Sequence, residues 1–448
     1  MTLEYRIEEA ASMMSAAVPV PGSESIITSI STDTRTIKRG ALFFALSGAN
    51  YDGDAFVEEA FSRGAVAAVT HKNHDMGTCI VVEEPLRALQ ELAAEHRARS
   101  NAQVIAITGS CGKTTSKDMI AALLGAQYSV VKTKGNLNND IGCPLSLLRI
   151  MADTEFAVIE MGANHQKEIA HLCEIAKPDE SAVTLVAAAH LEGFGSIEDI
   201  ARAKSEIVTG LSPTGCFYVN MDDPRCRVMA ELHPGEKVRF GKEGDVRLES
   251  IILTDEEEMT LNISPIGRLQ LPLKVKAHAS NVLLAVAVGL RHGITEFEAP
   301  LREACANAAR FKTLRVGSIT ILDDTYNANP ASMAAAVEAL QDQPGTGRRL
   351  AILGAMFELG DAAAQLHYDL GALAAHSGLS GLIARGPNAE DMIEGAHDAG
   401  LEEAYVFNSV DAATAMARRM IAPGDIVLVK GSRGMRMEEV VHKLREFV

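Results

Sequence analysis

Val104-Ile105-Ala106-Ile107-Thr108-Gly109-Ser110-Cys111-Gly112-Lys113-Thr114-Thr115 decides how the rest of the chain is read. The run of branched apolar residues predicts a buried strand, and Met119, Ile120, Leu123 and Leu124 recur at helical spacing before Gly125. Strand, glycine loop and helix therefore follow one another. The first N–H groups of a helix lack intrahelical acceptors, and with the helix dipole they attract an anion around which glycines let the backbone close. Lys113 adds a mobile positive charge for outer phosphates, and the Thr114 hydroxyl is placed for a magnesium ion. The pattern is a shortened Gly109-x-x-Gly112-Lys113-Thr114, with Ile107 where the fuller phosphate loop carries another glycine. In its strand–helix context it predicts a nucleoside triphosphate site, the alternative being an ordinary turn.

A chain of 448 residues exceeds one ordinary core and predicts about three domains. It is 47% hydrophobic but only 4% aromatic, which suits many buried strands and Ala-rich helices. A formal charge of -17 argues against a nucleic-acid surface, because such surfaces neutralise phosphates with clustered Lys and Arg. The seven Cys are scattered without a C-x-x-C pair, which favours reduced thiols and a cytoplasmic setting. Met1 to Pro21 lacks the basic start and apolar core of a signal peptide, and no apolar run reaches the ~20 residues of a membrane span. Cys111 lies inside the glycine loop at a helix N-terminus, but no base stands near it in sequence, which argues against nucleophilic use.

Up to residue 82 the pattern is a small α/β unit: a helix over 6–17, strands over 42–46 and 65–70, and a helix over 54–63. Its polar turns, 31–35 and 47–53, suit a sugar or phosphate, or are plain loops. An amphipathic helix over 83–99 leads into the glycine loop. Beyond it, Lys134-Gly135-Asn136-Leu137-Asn138-Asn139-Asp140-Ile141-Gly142 is crowded with amides, a common turn chemistry in its own right. Ala157 to Glu160 is a second apolar strand ending on a carboxylate. Ligands gather at the carboxyl ends of strands in open α/β sheets, so Glu160 is either a metal ligand near the phosphates or a solvated acid.

A third strand over 181–187 leads to His190, which alone reads as structural. Ser196 and Asp199 then open a helix whose Ile200, Ala203, Ile207 and Val208 form one face, and Lys204 shares that face. Burial disfavours an ammonium, and a neutral amine combines with carbon dioxide into a carbamate, in effect an extra carboxylate. The alternative is a side chain that snorkels past the apolar stripe. Strands and turns over 215–275 continue the sheet, Ala277-His278-Ala279-Ser280-Asn281 opens an apolar helix, and a helical stretch over 295–309 reaches Arg310. Strands over 320–322, 350–353, 382–384, 405–407 and 426–429 then alternate with helices in a doubly wound pattern. Polar clusters at 323–327, 354–360 and 430–434 are expected along one edge of that sheet.

Several strings, in this order, resemble the Mur ligases: the glycine loop, Asn136 to Gly142, Glu160-Met161-Gly162-Ala163-Asn164-His165, Ala189-His190-Leu191-Glu192-Gly193-Phe194-Gly195-Ser196 and Ala203-Lys204-Ser205-Glu206-Ile207. Asp323-Asp324-Thr325-Tyr326-Asn327-Ala328-Asn329-Pro330 and Lys430-Gly431-Ser432-Arg433 complete the set. The last two, with Asn138-Asn139-Asp140, are similar to family members that add D-alanyl-D-alanine to UDP-N-acetylmuramoyl-tripeptide. The resemblance implies three domains: a small N-terminal α/β domain (1–82) for the UDP-precursor, a central P-loop mononucleotide-binding ATPase domain (83–311), and a C-terminal Rossmann-like domain (312–448) bringing the dipeptide. It implies an ATP-dependent amide ligase of cytoplasmic peptidoglycan precursor synthesis, acting as a monomer through an acyl-phosphate intermediate.

By the same resemblance, Gly109, Ser110, Cys111, Gly112, Lys113, Thr114 and Thr115 would hold ATP phosphates. Thr114 and Glu160 would bind one Mg2+, and His190 with carbamylated Lys204 a second. His278 and Asn281 fall at the adenine, Asp324 at the ribose and Arg310 at the γ-phosphate. Lys113, Glu160, His190, Lys204 and Arg310 form the implied catalytic set. Substrate contacts would come from Ser31, Asp33, Thr34, Arg35, Asn136, Asn138, Asn139, Asn327, Ser432 and Arg433. The chain departs from the family's His-Asn-x-x-Asn at Ala277 and His278, has Ala309 where a Gly is usual, and Ala355 where an Asp is common. Other readings are another Mur-type ligase, a folylpolyglutamate synthase-like ligase, or a non-catalytic nucleotide-binding relative.

Overall fold

The computed structural model describes residues 4–17, 25–48, 51–254, 258–306 and 311–446. Its centre is the apolar run Gln103–Thr108, five of whose six residues are buried. A strand with both faces covered pairs in parallel with equally apolar neighbours. Phe156–Glu160 lies on one side, with Ile107 opposite Glu160, and Glu180–Val183 on the other, with Thr108 opposite Val183. This register brings the glycine loop, the Glu160 carboxylate and the segment leading to His190 out at one edge of the sheet.

The sheet has nine strands. Beyond Glu180–Val183 it continues in parallel through Cys216–Asn220, Glu236–Gly241 and Val246–Leu253. It then turns antiparallel through Met259–Ser264 and Gly267–Leu271. Helices Lys113–Gly125 and His278–Arg291 cover one face, and Pro85–Ala98, Gly142–Leu147, Glu168–Ala176 and Ile197–Thr209 the other.

The N-terminal domain carries a parallel four-stranded sheet, Ser29–Ser31, Ala41–Phe44, Ala65–Thr70 and Thr78–Val81. Helix Pro85–Ala98 fastens it to the centre. Leu89 and Leu92 are fully buried in one continuous core that runs from Ile7, Leu42 and Val69 to Ala157 and Ile169. The C-terminal domain has six strands, ordered Lys312–Val316, Ile319–Asp324, Ile426–Lys430, Arg349–Gly354, Gly381–Arg385 and Ala404–Phe407. All are parallel except the first. Asp324 and Leu353 both register against Lys430, so the three polar clusters do emerge at one edge.

The elements are mostly shorter than their patterns. The helix expected over 6–17 is Ile7–Met13, and two residues beyond it Ser15 takes φ 52. The helix expected over 54–63 begins as a tight turn, Gly53–Phe56, because the Asp52 carboxylate accepts the Asp54 N–H. Tyr5–Arg6, Ile26–Ile27, Ser29–Ser31, Thr78–Val81 and Lys312–Val316 were not anticipated as strands. Each is two to five residues long and lies at a sheet edge or in an isolated pair, where length and apolar alternation are least demanded.

Leu92→Ala removes a fully buried side chain from the core that joins the first two domains. It should destabilise that unit by about 2–5 kcal/mol, read as an earlier first transition in urea; an unchanged midpoint would show that the junction does not carry this load.

Candidate functional site

The loop after Thr108 is forced to be glycine-rich by what surrounds it. Gly109 takes φ +147, and a Cβ there would lie 1.9 Å from Thr184 Oγ1 on the neighbouring strand exit. At Gly112, φ +83, a Cβ would meet Asn281 Oδ1 at 2.4 Å. Gly112 caps helix Lys113–Gly125 without a side-chain acceptor, so the first-turn N–H groups keep their anion-binding capacity. The loop is held from below: Ser110 Oγ donates to Ala187 O at 2.8 Å, Ala187 N donates back to Ser110 Oγ at 3.0 Å, and Thr184 Oγ1 donates to Cys111 O. Lys113 folds over the loop and donates to Gly109 O at 2.7 Å.

A cleft of about 370 Å³ opens between the central and C-terminal domains. From the central domain it takes Ser110, Cys111, Gly112, Lys113, Thr115, His190, His278 and Asn281. The facing domain contributes Asp324, Asn327, Ser432 and Arg433. Asp324 is anchored by Lys430, whose Nζ donates to its Oδ2 at 2.5 Å and to Asn327 O at 2.8 Å. The domains also touch directly, Cys111 Sγ donating to Asn329 Oδ1 at 3.1 Å.

Lys204 lies on the inner face of helix Ile197–Thr209 with Ile200, Ile207 and Val208, and is 3% exposed. Burial first, and then the like charge of Lys113, push its amine down to about 7, against an opposing pull from the thiols of Cys111 and Cys226. Among the described residues the ammonium has no hydrogen-bond acceptor, so a large fraction of the side chain is a neutral amine near neutral pH. His190, at φ 55, meets the Glu358 carboxylate of the C-terminal domain through Nδ1. Burial lowers its pKa, Glu358 raises it, and Lys113 and Lys204 lower it, with a net direction downward. The neutral ring is the form that ligates metals.

Glu160 is 2% exposed. Asn138 Nδ2 donates to its Oε1 at 2.8 Å, while Oε2 is buried without a hydrogen bond among the described residues, 3.7 Å from Lys117 Nζ. An orphaned buried carboxylate oxygen suits a cation. Thr114 lines a second cavity of about 640 Å³ together with Lys117, the lysine that reaches Glu160. Among the described residues no three His, Cys, Asp or Glu side chains form a metal cluster. An ion here would take its other ligands from phosphate oxygens and water, which is how Mg2+ is usually held. The donors present fit that role.

Other anticipated residues lie elsewhere. Asp33 pairs with Arg35 at 2.8 Å, and the Arg35 hydrogen bond holds its carboxyl below the usual range. Ser31 Oγ accepts from Asp33 N at 3.2 Å, and Thr34 Oγ1 donates to Glu59 at 3.0 Å. This cluster belongs to the N-terminal domain and does not line the cleft. Asn136 is exposed, and Asn139 Oδ1 accepts from Gly142 N, the first residue of helix Gly142–Leu147, at 2.9 Å. Arg310 lies outside the described residues. Sequence reasoning missed Lys117, Lys430, Thr184 and Glu358. Lys117 was findable: it stands three residues before Ile120 and seven before Leu124 on the buried face of its helix, the same argument that singled out Lys204.

Three family models match in chain order: the Mur ligase family catalytic domain at 26–99, the Mur ligase middle domain at 107–289, and the Mur ligase glutamate ligase domain at 309–433. UDP-N-acetylmuramoyl-tripeptide--D-alanyl-D-alanine ligase of Bacillus subtilis is 33% identical over 99% of this chain and 99% of its own. Among solved structures, MurF from Acinetobacter baumannii superimposes with TM-score 0.89 at 31% identity over 99% of both chains. MurF ligase from Thermotoga maritima in complex with ADP gives 0.82 at 29% identity, over 93% of this chain and 97% of that one. With its loop, cleft and three domains all matched along the full length, the chain belongs to the Mur ligase family.

Proposed function

We propose that this chain is an ATP-dependent ligase that joins D-alanyl-D-alanine to UDP-N-acetylmuramoyl-tripeptide, forming ADP and phosphate. A carboxylate does not acylate an amine unaided. The tripeptide carboxylate first attacks the γ-phosphate, releasing ADP and leaving an acyl phosphate. The dipeptide amine then attacks the acyl carbon and expels phosphate. The observation that carries the reading is Lys204: a buried lysine without an acceptor among the described residues, close enough to the phosphate-loop Lys113 to feel its charge. A plain phosphate-binding loop has no use for it; a carbamate there adds a carboxylate where a cation is needed.

In this reading the loop N–H groups and Lys113 hold the β- and γ-phosphates, which requires Lys113 to leave the Gly109 carbonyl. Thr114 and Glu160 would hold one Mg2+, His190 and carbamylated Lys204 a second. When bound, the ions offset repulsion between the phosphate and the incoming carboxylate. His278 and Asn281 take the adenine, Asp324 the ribose, braced by Lys430, and Arg310 the γ-phosphate. Ser31, Asp33, Thr34 and Arg35 take the UDP end of the precursor, joined by Asn136, Asn138 and Asn139. Asn327, Ser432 and Arg433 meet the dipeptide. Domain contact across the cleft orients the reactants and keeps water from the acyl phosphate. Seven unpaired thiols suit synthesis in a reducing cytoplasm.

Phosphate release with ATP and Mg2+ should require both UDP-N-acetylmuramoyl-tripeptide and D-alanyl-D-alanine. It should fall by roughly 100-fold or more in Lys204→Ala, with partial recovery on adding a short-chain carboxylate. Release without either substrate would sink the substrate assignment, and a fully active Lys204→Ala would remove the carbamate.

The amine at about 7 also fixes a sign. Only the neutral form reacts with carbon dioxide, and its fraction falls about tenfold per pH unit below that value. Carbon dioxide depletion should therefore reduce turnover, and the concentration that restores it should rise as pH drops from 8 to 6; turnover indifferent to carbon dioxide throughout would contradict the modification.

A further inference from the structure

We propose that Glu358, on the C-terminal domain, is a positioning residue that selects the tautomer of His190 and so completes the second metal half-site only when the two domains are in contact. The inference rests on the reading of His190 as a metal ligand. Two independent contacts join the segments. His190 Nδ1 meets Glu358 Oε2, and the N–H of Glu192 donates to the Glu358 carbonyl at 3.1 Å. One residue therefore grips the strand exit with both its side chain and its main chain. The backbone is strained on both sides, His190 at φ 55 and Glu358 at φ 62, a region that non-glycine residues enter rarely. Leu191 packs against the C-terminal core, so the grip is seated as well as bonded.

The chemistry follows from which atoms meet. An ionised carboxylate only accepts, so the proton of the neutral ring resides on Nδ1 and the lone pair is left on Nε2. A histidine that ligates a metal usually gives its other N–H to such a partner, which fixes the ring and makes the ligating nitrogen more basic. Here the partner comes from the opposite domain. With the domains apart, the ring loses the carboxylate that chooses its tautomer. Glu358 is more than half exposed and outside the hydrophobic cores, so removing its carboxylate leaves the fold intact.

The test uses full-length protein labelled with ¹⁵N at histidine, with the His190 signals assigned by their disappearance in His190→Gln. Without added metal, wild type should show the Nδ1–H pattern, and Glu358→Ala should shift toward Nε2–H. In turnover, Glu358→Ala should raise the half-saturating Mg2+ concentration roughly 10- to 100-fold, with the KM for D-alanyl-D-alanine unchanged and kcat largely recovered at high Mg2+. Glu358→Asp should recover part of both effects. An unchanged ring spectrum, or a loss of kcat that Mg2+ does not relieve, would overturn the proposal and leave the contact as a simple interdomain ion pair. If wild type itself shows no substrate-dependent phosphate release, the ligase reading fails, and the metal-free spectrum still decides whether Glu358 sets the tautomer.

Discussion

Everything in the site depends on the parallel register of three adjacent strands. Gln103–Thr108 sits between Phe156–Glu160 and Glu180–Val183, and because all three run the same way their carboxyl ends share one edge. A parallel sheet cannot be joined by tight hairpins, so each strand hands over to a crossover segment at that edge. The three handovers supply the glycine loop, the Glu160 carboxylate and the His190 turn. Their proximity follows from the sheet. The same logic runs through the C-terminal domain, where Asp324, Gly354 and Lys430 leave their strands together and face the first edge across the cleft.

Charge then determines what such an edge accepts. The chain carries a net charge of -17, yet Lys113, Lys117 and Lys204 converge around one loop, two of them almost fully buried. Burial first, and then the like charge of Lys113, push the Lys204 amine down to about 7. Lys117 instead meets Glu160, whose second oxygen lacks a hydrogen bond among the described residues. The loop is thus polarised for an anion, with the Glu160 carboxylate and the buried Lys204 amine on its flanks. That combination suits a metal-bound triphosphate better than a bare phosphate.

How much of this was legible depended on whether the signal was local. The glycine loop, its strand and helix, and the five parallel C-terminal strands all declared themselves by spacing within about ten residues. Lys204 did too, because a charged residue on an apolar helical face contradicts its neighbours. Edge strands such as Lys312–Val316 did not, since a short, partly exposed strand need not alternate. The contacts that give the site its shape were least visible. Lys430 reaches Asp324 across 106 residues and Glu358 reaches His190 across 168, and no periodicity encodes such a meeting. Gly109 and Gly112 illustrate the division. Their presence was plain in the sequence, but the reason for it, Thr184 and Asn281 pressing on the loop, lies in distant segments.

The interdomain contacts bring the C-terminal domain onto the phosphate loop itself. Asn329 caps its own helix by accepting the Ser332 N–H, and the same Oδ1 accepts the Cys111 thiol while Nδ2 reaches Ser110 O at 3.4 Å. A helix cap in one domain is therefore bonded to the phosphate loop of the other. Lys430, which braces Asp324, leaves the same sheet edge as Ser432, whose hydroxyl accepts the Phe357 N–H next to Glu358. Asp324, the His190–Glu358 contact and the Ser432 loop are thus mechanically one unit. An acyl phosphate is destroyed by water, so its formation should await the partner that consumes it. If the C-terminal domain brings the amine, as proposed, bonding it to the phosphate loop would impose that order by geometry.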